Sequence, residues 1–305
     1  MIGNDTLVLF ADHLDAIGDV PKITLYLYTK GGDTLSAWSL VNLIRNFCKE
    51  LEVIVPFVCH SAGTLICLGA NNVIMTKQAT LGSIDPNITT PYNPSAQWLP
   101  PHVKLPVSVE HVNKYLEIAR KELKIRNKNS LANILIDLSN KIHPITLGAV
   151  YKSRSQIQML ARKLLKYQNI KGFKTRRIIN FLCSESGSHD YTIYRNEARD
   201  SLGLNINKPS DNEYTLIRKI YVDIQDELQL LSPFNPAIDL GNENQKNYSY
   251  RRCIIESLYG NCDVFMSEGT LDRLPKPTPM PGQPLLLQHN IRDTRTFEGW
   301  RHEEF

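Results

Sequence analysis

Residues 51–70 read LEVIVPFVCHSAGTLICLGA, and the change of character inside that stretch decides the fold. Leu51 to Cys59 is an apolar run of the kind that parallel sheets bury on both faces. Ala62 to Ala70 is small and apolar and reads as a helix, ended by Asn71-Asn72. A strand that passes into a helix within one or two residues leaves Ser61 exposed at the end of the sheet, in front of the helix N-terminus. Free N–H groups and the positive end of the helix dipole stabilise negative charge growing on a bound carbonyl oxygen. Ala62 and Gly63 let a substrate backbone come close. A serine before a helix is also an ordinary N-cap, so the junction alone leaves two readings open.

Working outward, a second junction of the same kind precedes it. Residues 23–28 read as a strand, bounded by Pro21 and by Gly31-Gly32. Asp33 or Thr34 caps a helix over 35–50, with Leu40, Leu43, Ile44 and Phe47 at helical spacing. The paired glycines of Tyr28-Thr29-Lys30-Gly31-Gly32-Asp33 make a plain turn or present a backbone N–H to an oxyanion with no Cβ in the way. Two such junctions in consecutive strand–helix units are more specific than either alone, and their alternation predicts α/β layering.

Farther out the pattern predicts an amphipathic helix over 7–17, a strand at 73–75 and a long loop over 81–106. Helices follow over 108–126, 130–141 and 151–182, the last with a break near Lys171-Gly172. A strand at 189–194, a short helix at 195–202 and a helix at 213–231 come next. A hairpin of 252–257 and 263–266 turns at Tyr259-Gly260-Asn261. Prolines at 275, 277, 279, 281 and 284 read as an extended tail or linker. The expected organisation is a catalytic domain over 1–210, a helix and hairpin extension over 211–273, and a proline-rich tail over 274–305.

The 305-residue chain has a net charge of +4, which conceals an asymmetry. Residues 104–182 hold 17 Lys+Arg against 4 Asp+Glu, and the remainder holds 18 against 27. Without a nucleic-acid motif, the basic middle reads as solvated helix faces or as a surface meeting the acidic part of another subunit, and no nucleic acid is expected. The six cysteines form no CxxC pair, which predicts reduced, buried thiols and neither zinc nor disulfides. No apolar run is long enough to span a bilayer and no signal peptide is visible, so the expected location is cytoplasmic, with membrane association only through a partner.

With these junctions in hand, the chain resembles the serine dehydrogenase proteinase family, related to Clp proteases, signal peptide peptidases and crotonases. The resemblance rests on Gly31-Gly32-Asp33, on Ser61-Ala62-Gly63-Thr64 and on Leu81-Gly82-Ser83-Ile84-Asp85-Pro86. Weaker matches are Ser188-His189-Asp190-Tyr191, Glu197-Ala198, Leu202-Gly203-Leu204, Ile255-Glu256-Ser257 and Asp263-Val264-Phe265, so the likeness runs from about 23 to about 268. It implies a Clp/crotonase-like α/β fold of repeated strand–strand–helix units, with a helical C-terminal part and a small β-hairpin. It implies Ser61 as nucleophile, the N–H groups of Ala62 and of Gly31 or Gly32 as oxyanion hole, and Asp190 in the place of the Clp triad aspartate.

Two departures stand out. No histidine lies near Ser83 to Asp85, where Clp proteases place theirs, and Lys30 stands where the relatives usually have proline. A serine hydroxyl needs a base, and three candidates remain open. By the spacing in signal peptide peptidases, Lys104 or Lys114 is the first. His189 beside Asp190 is the second, although adjacent strand residues face opposite ways. His60 is the third, pointing away. Asp85 either orients a base or caps a helix. The implied function is serine-type hydrolysis of peptide bonds through an acyl-enzyme on Ser61, without cofactor or metal. Polypeptide is the expected substrate, and a homo-oligomer is expected, with an unfolding or membrane partner. The alternatives are a non-catalytic assembly module on the same fold and a crotonase-type acyl-coenzyme A enzyme. The chain begins close to its first strand, whereas many relatives carry an earlier strand and a membrane segment, so a naturally short form, an edited chain or completion by a partner is expected.

Overall fold

Buried residues at every second position of one segment, facing a helix with an apolar stripe, set the layering. The computed structural model describes residues 1–85, 87–95, 98, 100, 102–185, 190–274 and 291–304. In chain order its elements are α1 (Thr6–Ile17), β1 (Val20–Tyr26), α2 (Thr34–Phe47), β2 (Cys48–Val55), β3 (Val58–Cys59), α3 (Ala62–Leu68), β4 (Asn72–Met75), β5 (Thr80–Gly82), β6 (Asn87–Ile88), β7 (Val107–Ser108), α4 (Val109–Glu117), α5 (Lys128–Lys141), α6 (Pro144–Leu164), α7 (Gly172–Asn180), β8 (Thr192–Tyr194), β9 (Ile206–Asn207), α8 (Asp211–Glu227), α9 (Pro236–Leu240), β10 (Gln245–Ser257), β11 (Asn261–Arg273) and β12 (Ile291–Glu303). They form two compact units, one of Met1–Asn4 with Val20–Pro209, the other of Asp5–Asp19 with Ser210–Phe305.

The first unit holds a parallel sheet in the order β1-β2-β4-β9 and a second sheet in the order β3-β5-β8. On β2, Leu51, Val53 and Val55 are fully buried, and Leu40, Val41 and Ile44 of α2 are buried with them. Every residue of α3 is buried, so its sequence carries no polar face. The single apolar run of 51–59 is divided between two sheets. Pro56 has no N–H to give a ladder, and the chain leaves β2 there and enters β3 at Val58. Thr29 pairs with Cys59 as an isolated parallel bridge, so β1 and β2 each continue into a short piece beside the second sheet before α2 and α3. That is the expected strand–strand–helix repeat.

Several boundaries differ from the sequence reading for identifiable reasons. The long helix begins at Pro144, not near 151, because proline suits the first helical turn and His143 Nδ1 accepts the Ile145 N–H. The expected loop over 81–106 contains β6, paired with β7 across residues 87–108. Of the 17 basic residues between 104 and 182, all but Lys104 and Arg154 are exposed, which fits solvated helix faces. No described helix is long and apolar enough to cross a membrane.

The second unit is built on a three-stranded antiparallel sheet, β10-β11-β12. The hairpin strands have 13 residues each, and Ile291–Glu303 pairs along β11 as a third strand. This corrects the reading of 274–305 as a tail; the prolines from 275 to 284 lie outside the described residues. Helix α1 also belongs here and not to a domain over 1–210. Its buried His13 lies 2.7 Å from Ser257 Oγ through Nδ1 and 3.1 Å from Asp263 Oδ2 through Nε2. With the ring proton on Nε2, the imidazole donates to the carboxylate and accepts the serine hydroxyl. The Gly260 N–H donates to that same Ser257 Oγ. His13→Ala removes both bonds and leaves Asp263, 5% exposed, short of a donor. Urea unfolding is expected to show a loss of about 2–3 kcal/mol, and an unchanged midpoint would refute the role.

Candidate functional site

At the strand–helix junction the chain turns at His60–Gly63, closed by the Gly63 N–H donating to His60 O at 2.9 Å. Ser61 occupies the second place of that turn with φ +51° and ψ −113°. This is the mirror of the ordinary type II geometry and is adopted freely only by glycine. A serine held there costs roughly 1–3 kcal/mol, and such strain collects at functional sites. Ser61 is not a conventional N-cap: its side chain makes no capping bond, and its hydroxyl has no hydrogen bond to any described residue. The first helical N–H, that of Ala62, is likewise uncommitted among the described residues.

The glycine loop packs directly against this turn. A Cβ on Gly31 would sit 2.9 Å from Ser61 Cβ and 3.2 Å from His60 O, with φ already at +118°. Gly32, at φ +154°, has the Ile2 backbone against it, where a Cβ would overlap. The Ile2 N–H donates to Gly31 O at 3.0 Å and the Asp33 N–H donates to Ile2 O at 2.8 Å. Asp33 then caps α2, its Oδ1 accepting the Ser36 N–H at 2.7 Å. Lys30, in the place where the relatives usually have proline, is exposed.

Two threonines that the sequence reading did not single out tie the loops together. Thr29 Oγ1 accepts the Gly31 N–H at 3.0 Å. Thr64 Oγ1 accepts the Gly82 N–H at 3.0 Å and donates to Cys59 O at 3.1 Å. Thr-x-Gly is a recognisable sequence signature for a side-chain turn, and it was present in Thr29-Lys30-Gly31.

Sheet register shows what meets at this end. Cys59 pairs with Leu81 in parallel, and Leu81 pairs with Ile193 in antiparallel fashion. The chain therefore leaves the sheet at one end through Ser61, through Ser83 to Asp85, and backwards through Asp190. Ser83 and Asp85 are buried, Asp190 is exposed, and the Ile84 N–H donates to Leu182 O at 3.0 Å. Burial, with Asp85 nearby adding to it, pushes the Cys183 thiol up to about 12. His60 turns its ring away, Nε2 lying 3.0 Å from Thr80 Oγ1, as expected.

The candidate bases separate. Lys114 is exposed on α4 between Glu110 at 3.5 Å and Glu117 at 3.4 Å. Burial acts to lower its pKa, but the bonds and charges of Glu117 and Glu110 prevail and hold it above the usual lysine range. A base must be neutral to accept a proton, so this environment opposes the role. Lys104 is half-buried and its Nζ donates to Ser95 Oγ at 2.8 Å, with no carboxylate partner among the described residues. His189 lies outside the described residues.

The cysteines are free thiols: Cys48, Cys59, Cys67, Cys183 and Cys262 are buried and Cys253 is half-buried. Complete burial beside Cys67, 3.6 Å away, drives the Cys59 thiol well up, which keeps it protonated and inert beneath the serine turn. Among the described residues no group of three or more His, Cys, Asp or Glu side chains could hold a metal ion.

Comparison with known proteins gives three findings. The family described as ClpP-like SDH-type serine proteinase matches residues 9–230. Two uncharacterized proteins of Methanocaldococcus jannaschii, MJ0137 and MJ1495, are 27% identical over 211 residues and 26% identical over 189 residues. Those alignments cover 68% and 62% of this chain, and the chain spans only 62% and 53% of the two relatives' lengths. A solved structure of a mutant membrane-bound stomatin-specific protease in complex with a substrate peptide is 13% identical, with a TM-score of 0.39 over 70% of this chain and 69% of that one.

Proposed function

From the premise that this chain belongs to the ClpP-like SDH-type serine proteinase family, we propose that it is a serine peptidase that cleaves peptide bonds through an acyl-enzyme on Ser61. The observation that carries this is the backbone of Ser61, held at φ +51° at the end of a buried strand with its hydroxyl uncommitted. Glycine would hold this backbone without strain.

In this reading Ser61 Oγ attacks the scissile carbonyl carbon. The carbonyl oxygen takes up the charge and is met by the Ala62 N–H at the head of α3 and by an N–H of the Gly31-Gly32 loop. Lys104 takes the serine proton and returns it to the leaving amine, after which water repeats the sequence on the ester. An extended polypeptide would lie beside the loop through backbone hydrogen bonds. A homo-oligomer and an unfolding or membrane partner belong to the same proposal.

The test is reaction with a fluorophosphonate probe, the adduct located by mass spectrometry. A single adduct on Ser61 is expected. An intact, folded protein without one would turn the reading to a non-catalytic module on this fold. Gly31→Ala supplies a graded version, because the new methyl presses on Ser61 Cβ and moves the loop. The probe's rate constant is expected to fall by about 100-fold, the scale of a lost oxyanion donor, while circular dichroism stays native.

A further inference from the structure

We infer that Thr29 is the positioning residue of this site, and that by holding the Gly31 N–H it leaves Gly32 as the loop's oxyanion donor. The inference rests on the peptidase reading above. Thr29 is 9% exposed and joined to the serine-bearing strand through its backbone. Its N–H donates to Val58 O at 2.9 Å, and the His60 N–H donates to Thr29 O at 3.1 Å. Its side chain faces two ways. The Cγ2 methyl packs where Gly63 of the nucleophile helix has no side chain, which locks the rotamer. The hydroxyl accepts the Gly31 N–H at 3.0 Å and donates to Gly31 O at 3.3 Å. One residue therefore references the glycine loop to the turn that carries Ser61.

The bonding of the loop then selects the donor. The Gly31 N–H donates to Thr29 Oγ1, Gly31 O accepts the Ile2 N–H, and the Asp33 N–H donates to Ile2 O. The Gly32 N–H has no partner among the described residues. Paired with Ala62, it supplies two donors from two chain segments whose separation Thr29 sets. Valine at 29 would keep the methyl in the Gly63 niche and lose only the hydroxyl, freeing the Gly31 peptide to rotate.

The experiment compares Thr29→Val and Thr29→Ser with the wild type by three readouts. These are the fluorophosphonate rate constant, kcat and KM on a peptide substrate, and amide exchange of the peptide spanning residues 29–33. Thr29→Val is expected to lower the probe rate and kcat by about 100-fold with KM within about twofold, and to speed Gly31 exchange at least tenfold. Thr29→Ser restores all three, which a general packing role would not predict. Wild-type rates in Thr29→Val, or unchanged exchange at Gly31, would overturn the inference. A wild type that ignores the probe while Thr29→Val still loosens Gly31 would refute the peptidase reading and leave the loop-positioning role supported.

Discussion

Ser61→Gly is expected to destroy peptide hydrolysis and, at the same time, to make the protein more stable. Loss of the nucleophile in a hydrolase that works through an acyl-enzyme costs on the order of 10⁴- to 10⁶-fold in kcat. The opposite sign for stability follows from the backbone. Serine at φ +51° and ψ −113° carries a penalty of roughly 1–3 kcal/mol. Glycine removes it and gives back roughly 0.5–1 kcal/mol in chain entropy, so a net gain of about 1 kcal/mol is expected. Ser61→Ala separates the two effects, since alanine loses the hydroxyl and keeps the strain; it should be equally dead and no more stable. Urea midpoints and peptidase assays on the three proteins decide the matter. A stability order of Gly equal to Ala would mean that the turn is not strained, and retained hydrolysis in either variant would mean that the chemistry lies elsewhere.

That strain explains why the sequence disclosed the site's position and not its geometry. The buried strand of Leu51 to Cys59 and the small residues of α3 announce a strand–helix junction through hydropathy alone, and Gly31-Gly32 marks the second one. Hydropathy has no term for a single residue forced to positive φ, so the junction alone left Ser61 open to reading as a nucleophile or as an ordinary cap. The division of residues 51–59 between two sheets was hidden because Pro56 sits inside an otherwise apolar run. The strand β12 was hidden for a different cause. Its residues, Ile291 to Glu303, are mostly exposed, and a solvated outer strand shows little of the alternation that marks a half-buried one. Thr29 was legible in its Thr-x-Gly spacing, whereas the role of Thr64 depends on the Gly82 backbone 18 residues away, a long-range fact that spacing does not encode.

The base is where sequence spacing and local electrostatics part company, and where the second large effect is expected. Lys104 and Lys114 satisfy the same family spacing, yet their surroundings differ in the property that matters. Glu110 and Glu117 hold the Lys114 ammonium above its ordinary range. A lysine whose folded pKa is raised stays protonated throughout the neutral range and gives up its proton only as pH climbs past that value, so Lys114 is charged wherever the protein is assayed. Lys104 meets the Ser95 hydroxyl at 2.8 Å and no carboxylate among the described residues. Lys104→Met, which keeps the length of the side chain, is therefore expected to slow the reaction of Ser61 with a fluorophosphonate by about 10³-fold near pH 7, the scale of a lost general base. Lys114→Met should leave it within about twofold. The rate of the Lys104→Met protein should rise with pH as hydroxide replaces the missing base, whereas Lys114→Met should keep the wild-type profile. A wild-type rate in Lys104→Met together with a collapse in His189→Ala would move the proton to His189, and a loss in Lys114→Met as large as that in Lys104→Met would refute the choice of Lys104 over Lys114.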